Sequence, residues 1–194
     1  MDWIAVAVEK QERYEASYGE LDERALVRRG NTAYAAGLAL TMAGEPAAAD
    51  WFRKAASAWR ASWDLCTAPD AWGRPVGVLK AGLLAGVDVG ADAAWTLELG
   101  AAAAPSPIGR YAAVLAFLAL GRRDEAGPVA GTLDDFPSDV AAALAAIAAG
   151  DGEAYRTAVD SVFASFESRH AYLEDVPVAD TALVLERLAR DAGL

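Results

Sequence analysis

The chain has 194 residues, of which 55% are hydrophobic and roughly a quarter are alanine, so it can bury a sizeable core and is no disordered tail. A formal net charge of −11 disfavours nucleic-acid phosphates and anionic membranes as partners, and the densest basic pair, Arg28-Arg29, lies close to Glu20, Asp22 and Glu23. The single cysteine, Cys66, excludes an intramolecular disulfide and fits a reducing compartment. Glu9, Lys10, Glu12 and Arg13 come too early for a signal peptide, and the weakly charged run 140–150 is too short to span a bilayer. A soluble, cytoplasmic protein is expected.

Alanine enters helices without losing side-chain entropy, which moves the fold class to all-α. In chain order, Asp2 caps a first helix running to about Ser17, ended by Gly19. A second runs from about Leu21 to Ala43 and stops at Gly44. A third starts near Pro46, where a missing N–H is harmless, and continues to about Cys66. The loop 67–75 (TAPDAWGRP) divides a tryptophan-rich half, 1–66, from an alanine-rich half, 76–194, of one domain spanning 1–194. Further helices are expected near 76–86, 90–103, 107–120, 123–135, 138–149, 151–172 and 177–192. No β-branched alternating run is flanked by turn signals, so no strand is expected.

Four segments share one layout, an apolar helix, a glycine, a tight polar turn and a helix opening with alanine. They are LALTMAGEPAAADWFRKA (38–55), LLAGVDVGADAAW (83–95), LAFLALGRRDEAGPVAGTL (115–133) and ALAAIAAGDGEAYRTAV (143–159). Gly121 with Ala126 five residues on, Phe117 four before and Pro137 closing the unit resembles the tetratricopeptide repeat. The turn glycines Gly44, Gly86, Gly121 and Gly150 are 42, 35 and 29 residues apart, so the spacing drifts around that family's period. The resemblance implies stacked antiparallel helical hairpins, about nine or ten helices forming an α-α superhelix.

Chemical groups are sparse. His170, the only histidine, has Glu167 three residues before it and Glu174 four after it, which would share one helical face. Carboxylate-bridged metal bundles use Glu-x-x-His twice, and here it occurs once. Cys66 has no charge in its immediate sequence to activate it and reads as a small buried hydrophobe. Asp134-Asp135 and Glu174-Asp175 fall at expected helix ends beside prolines, where turn and cap duties explain them. G-x-S-x-G, P-loop and G-x-G-x-x-G motifs are all missing, so no catalytic residue, metal ligand or cofactor is expected.

What remains is a non-catalytic interaction module that binds a protein or peptide partner on its helical surface. In the repeat it resembles, the first helix of each hairpin lines a concave face. That implies Tyr34, ten before Gly44, and Tyr111, ten before Gly121, as contact residues, with Asn31 and Lys80 at neighbouring groove positions. The same tyrosines would equally fill the seam between hairpins. Trp51, Trp59 and Trp63 form a helical stripe of core character, whereas Trp72 in the loop would offer an exposed indole as a contact. The C-terminal third, AAGDGEAYRTAV followed by FASFESRHAYLED, is more faintly similar to the immunity protein 49 family of bacterial toxin systems, which implies a toxin inhibitor. A helical protein holding a small molecule among its alanines is the other alternative.

Overall fold

A computed structural model describes residues 1–17, 19 and 22–194. The expected start of the second helix at Leu21, and Glu20 beside the basic pair, lie outside the described residues. Those residues form ten α-helices and no strand. The helices are α1 (Trp3–Ala16), α2 (Glu23–Ala43), α3 (Ala48–Asp64), α4 (Gly73–Ala85), α5 (Gly90–Glu98), α6 (Pro107–Ala119), α7 (Arg123–Ala130), α8 (Ser138–Ala149), α9 (Gly152–Glu167) and α10 (Asp180–Asp191). Two single 3-10 turns lie at Ala101–Ala103 and Leu173–Asp175. None of the helices is long and apolar enough to cross a membrane.

Local chemistry sets these boundaries. Asp2 and Asp22 cap α1 and α2 by accepting the Ala5 and Ala25 N–H groups, and Asp151 accepts those of Glu153 and Ala154 at the start of α9. Gly44, Gly86, Gly121 and Gly150 all sit in the left-handed region at φ of +69° to +74°, where a Cβ would clash with the following carbonyl. Three expected helices end early for identifiable reasons. Gly100, at φ +83°, separates α5 from its trailing 3-10 turn. Pro128 removes a donor from α7, which stops two residues later rather than at 135. After α9, Ser168 folds its hydroxyl back onto the Ser165 carbonyl, so the helix ends at Glu167 rather than 172. In the other direction α4 begins at Gly73, inside the expected loop, because Pro75 is tolerated in a helix's first turn.

The chain divides into two compact units, Met1–Val87 with His170–Val178, and Asp88–Arg169 with Ala179–Leu194. The first unit runs through the 67–75 loop to Val87, and its α4 packs back on α3. Within the first unit α1, α2, α3 and α4 each pack on the next. Four residues join α2 to α3, so the two run antiparallel. The seam is built from rings seated on glycines. Trp59 of α3 lies between Gly30 of α2 and Gly77 of α4, and a Cβ on either glycine would come within 2.6 Å of the indole. Gly37 receives Phe52 in the same way, at 2.8 Å. Arg74 ties the loop to the helices, donating to Ser62 Oγ at 2.9 Å, to Cys66 Sγ at 3.0 Å and to the Glu23 carboxylate. A cation therefore does reach the half-buried Cys66, from eight residues along the chain.

The second unit uses small side chains instead. Ala112, Ala113 and Ala116 of α6, Ala126 of α7 and Ala143 of α8 are fully buried, which lets these backbones approach closely. Helix α10 packs on α6, α8 and α9. Arg123, at the start of α7, donates to the Ala148 carbonyl at 3.2 Å and to the Ala192 carbonyl at 3.4 Å. One guanidinium thus serves the unsatisfied C-terminal ends of α8 and α10 and meets the negative pole of both helices.

Candidate functional site

Three helices of the first unit surround an open groove of about 740 Å³. Tyr14 comes from the last turn of α1, Leu26 and Arg29 from α2, and Asp50, Trp51, Arg53, Lys54, Ser57, Ala58 and Ala61 from α3, with Ala47 just before it. Tyr14 meets Trp51 edge-on, with ring centroids 5.2 Å apart and planes at 85°, a favoured aromatic geometry. The faces of both rings carry cations. Arg29 Cζ stands 4.3 Å from the Tyr14 centroid, while Lys54 Nζ stands 3.8 Å from that of Trp51 and 5.3 Å from that of Tyr14. Each such contact contributes about 0.5–1 kcal/mol at an exposed site.

Spacing along α3 creates this arrangement. Trp51 and Lys54 are three residues apart, so they share a face and the ammonium folds over the indole. The same face continues through Ala58 to the exposed Ala61, which leaves the groove floor low. Arg29, Arg53 and Lys54 all lie within helices rather than at C-terminal ends, so none is there to cap a helix. Asp50 pairs with Arg53, and Glu15 stands 3.7 Å from Lys54. In a chain of net charge −11, three cations gathered beside two aromatic rings mark this groove out.

A second open groove, of about 580 Å³, lies in the second unit between α8 and α9. Its charged lining is Asp139, Asp151 and Glu153, all at helix starts. The first two are engaged within the fold. Asp151 holds the first turn of α9, while Asp139 accepts from Val140 N–H at 2.9 Å and from Ser165 Oγ at 2.6 Å. Glu153 adds a negative charge at the positive pole of α9.

The residues expected as partner contacts fall elsewhere. Tyr34 is 2% exposed, wedged between Phe52 and Trp59 at 5.4 and 5.3 Å. Asn31 accepts a hydrogen bond from Trp59 Nε1 at 3.1 Å and so serves the same seam. Trp72 is 6% exposed, with its ring 5.9 Å from that of Trp63, because α4 starts early and draws the loop inward. The exposed indole expected of this loop is therefore buried. Lys80 is half-buried on α4. Tyr111 is 5% exposed and stacks on Phe136 at 4.6 Å in the second unit. Tyr34 and Tyr111 each fill a seam within their own unit.

His170 lies in a bend after the end of α9, so Glu167, His170 and Glu174 share no helix. Glu174 instead pairs with Arg13 at 2.9 Å, and no group of three or more metal-ligating side chains occurs among the described residues. Two buried phenols stand out chemically. Burial, then the charge of Asp180, pushes the Tyr111 hydroxyl well above its ordinary range. Burial, then Glu186, pushes Tyr155 up to about 12. Neither hydroxyl has a hydrogen-bond partner among the described residues.

Sequence reasoning missed Tyr14, Arg29 and Lys54 as groove residues. The available signal was the Trp51/Lys54 spacing on one helical face, with Lys54 one of only three lysines. Compared with known proteins, the chain matches no family model, no curated protein and no solved structure.

Proposed function

We propose that this chain is a non-catalytic interaction module that takes a protein or peptide partner in the open groove of its first unit. The observation that carries the reading is the juxtaposition of Trp51 and Tyr14 with Arg29, Arg53 and Lys54 around an open, low-floored channel. Aromatic side chains and arginine dominate interfaces because they combine large buried area with directional polar contacts. An open channel suits an extended segment of another chain better than an enclosed small molecule.

Ala61 is exposed on the groove floor, so Ala61→Trp should fill the channel without disturbing the core. Parent and variant proteins, immobilised side by side, would be used for quantitative affinity capture from native extract. The reading predicts a protein retained by the parent and lost by the plugged variant, with thermal unfolding unchanged. An identical retained set for both proteins would rule the groove out.

A further inference from the structure

Resting on that groove, we infer that its occupant is a short acidic peptide segment, with carboxylates meeting Arg29, Arg53 and Lys54 and apolar side chains meeting Leu26, Trp51 and Ala58. Charge complementarity is the argument. The three cations are mid-helix, serve no helix terminus and project around one channel, whereas the chain as a whole carries −11. The carboxylates beside Arg53 and Lys54 are exposed. Asp50 and Arg53 leave 66% and 52% of their side chains accessible, and Glu15 and Lys54 leave 50% and 40%. Exposed pairs of this kind are weak and exchange readily for an incoming carboxylate that also excludes water. The guanidinium of Arg53 can take a carboxylate through two parallel N–H bonds, and Lys54 can swing from the Trp51 face as a point charge.

Length is limited by the surroundings. A long polyanion such as a nucleic acid would extend beyond these three cations over a chain whose net charge repels it. A short segment alternating acidic and apolar residues meets the cations without that penalty. Its apolar side chains would gain contact with Leu26, Trp51 and Ala58, all groove-lining and largely desolvated already.

The test is selection of a displayed random-peptide library on the folded full chain, followed by affinity measurement of the enriched peptides. Expected are sequences rich in Asp and Glu, with affinity falling as salt rises and dropping about tenfold or more in Arg53→Gln/Lys54→Gln and in Ala61→Trp. Arg53→Gln alone, at a largely exposed side chain, keeps the test in force should the double variant lose its fold. Neutral or basic peptides that Ala61→Trp excludes would overturn the acidic occupant while leaving the groove as the binding site. Enriched peptides indifferent to Ala61→Trp, or no enrichment, would overturn both. Groove-dependent binding of a labelled single-stranded oligonucleotide or of phosphatidylserine vesicles, tested in parallel, would also overturn the peptide assignment.

Discussion

In the first unit, rings are seated on glycines: Trp59 lies between Gly30 and Gly77, and Phe52 lies on Gly37. In the second unit the same task of packing helix on helix falls to alanines, with Ala112, Ala113, Ala116, Ala126 and Ala143 fully buried. The two designs leave different surfaces. Large rings in the first unit reach the rim of the groove at Tyr14 and Trp51, where arginine and lysine settle on them. The alanine seam of the second unit leaves a groove whose acids lie at helix starts. Two aromatic rings and three cations come together around an open groove in the first unit, and the proposed binding site is there.

The sharpest way to break this comparison is to remove the central ring. Trp59→Ala should cost about 3–5 kcal/mol, since it leaves a cavity and strands the Asn31 amide oxygen. Chemical denaturation followed by circular dichroism would measure it, and a loss below ~1 kcal/mol would deny the ring its place in the seam. The complementary change adds a methyl group. Gly30→Ala or Gly77→Ala should destabilise by about 2 kcal/mol even after the gain in helix propensity, because the new Cβ meets backbone-anchored indole atoms. Gly73→Ala, in open space at the start of α4, should instead stabilise by a few tenths of a kcal/mol. If all three glycines respond alike, the seats are not seats.

In the second unit the comparable single point is Arg123. Arg123→Ala should cost about 1.5 kcal/mol, the scale of losing charged hydrogen bonds to helix-end carbonyls, and hydrogen exchange should rise at the last turns of α8 and α10. Smallest are the phenols. Tyr111→Phe and Tyr155→Phe should each change stability by less than ~0.5 kcal/mol at neutral pH, since neither hydroxyl has a partner among the described residues. Alkali should reveal them. Both folded pKa values are raised, so their contribution is intact below about pH 10, the unfolded value. As pH climbs past that point the unfolded chain releases protons the folded chain keeps, and stability falls. The double Phe variant should flatten that fall.

Much of the fold was readable because it is local. Left-handed glycines end helices, and aspartates cap them, through interactions spanning three or four residues, so the helix count and most turns follow from the chain itself. The helix ends at 98, 130 and 167 were harder, since Gly100, Pro128 and Ser168 each cut an apolar pattern that continues beyond them. The candidate site was not readable in the same way. Tyr14, Arg29 and Lys54 lie on three helices, and only the packing of α1 on α2 and α2 on α3 brings them together. Tyr34 and Tyr111 show the converse ambiguity, since seam and groove were both open to them. Their distance from a turn glycine is equally satisfied by the inner face, and the available apolar partners, Phe52, Trp59 and Phe136, draw them inward.

The contrast between the two grooves can be put to one measurement. Affinity for the library-selected peptide would be compared in Arg53→Glu/Lys54→Glu, which inverts the first groove, and in Glu153→Lys, which moves the second towards the first. Binding lost in the former, intact in the latter, with both proteins unfolding at the parent temperature, is the expected result. Binding that survives charge inversion of the first groove, or that falls with Glu153→Lys, would contradict the assignment of function to the ring-and-glycine unit.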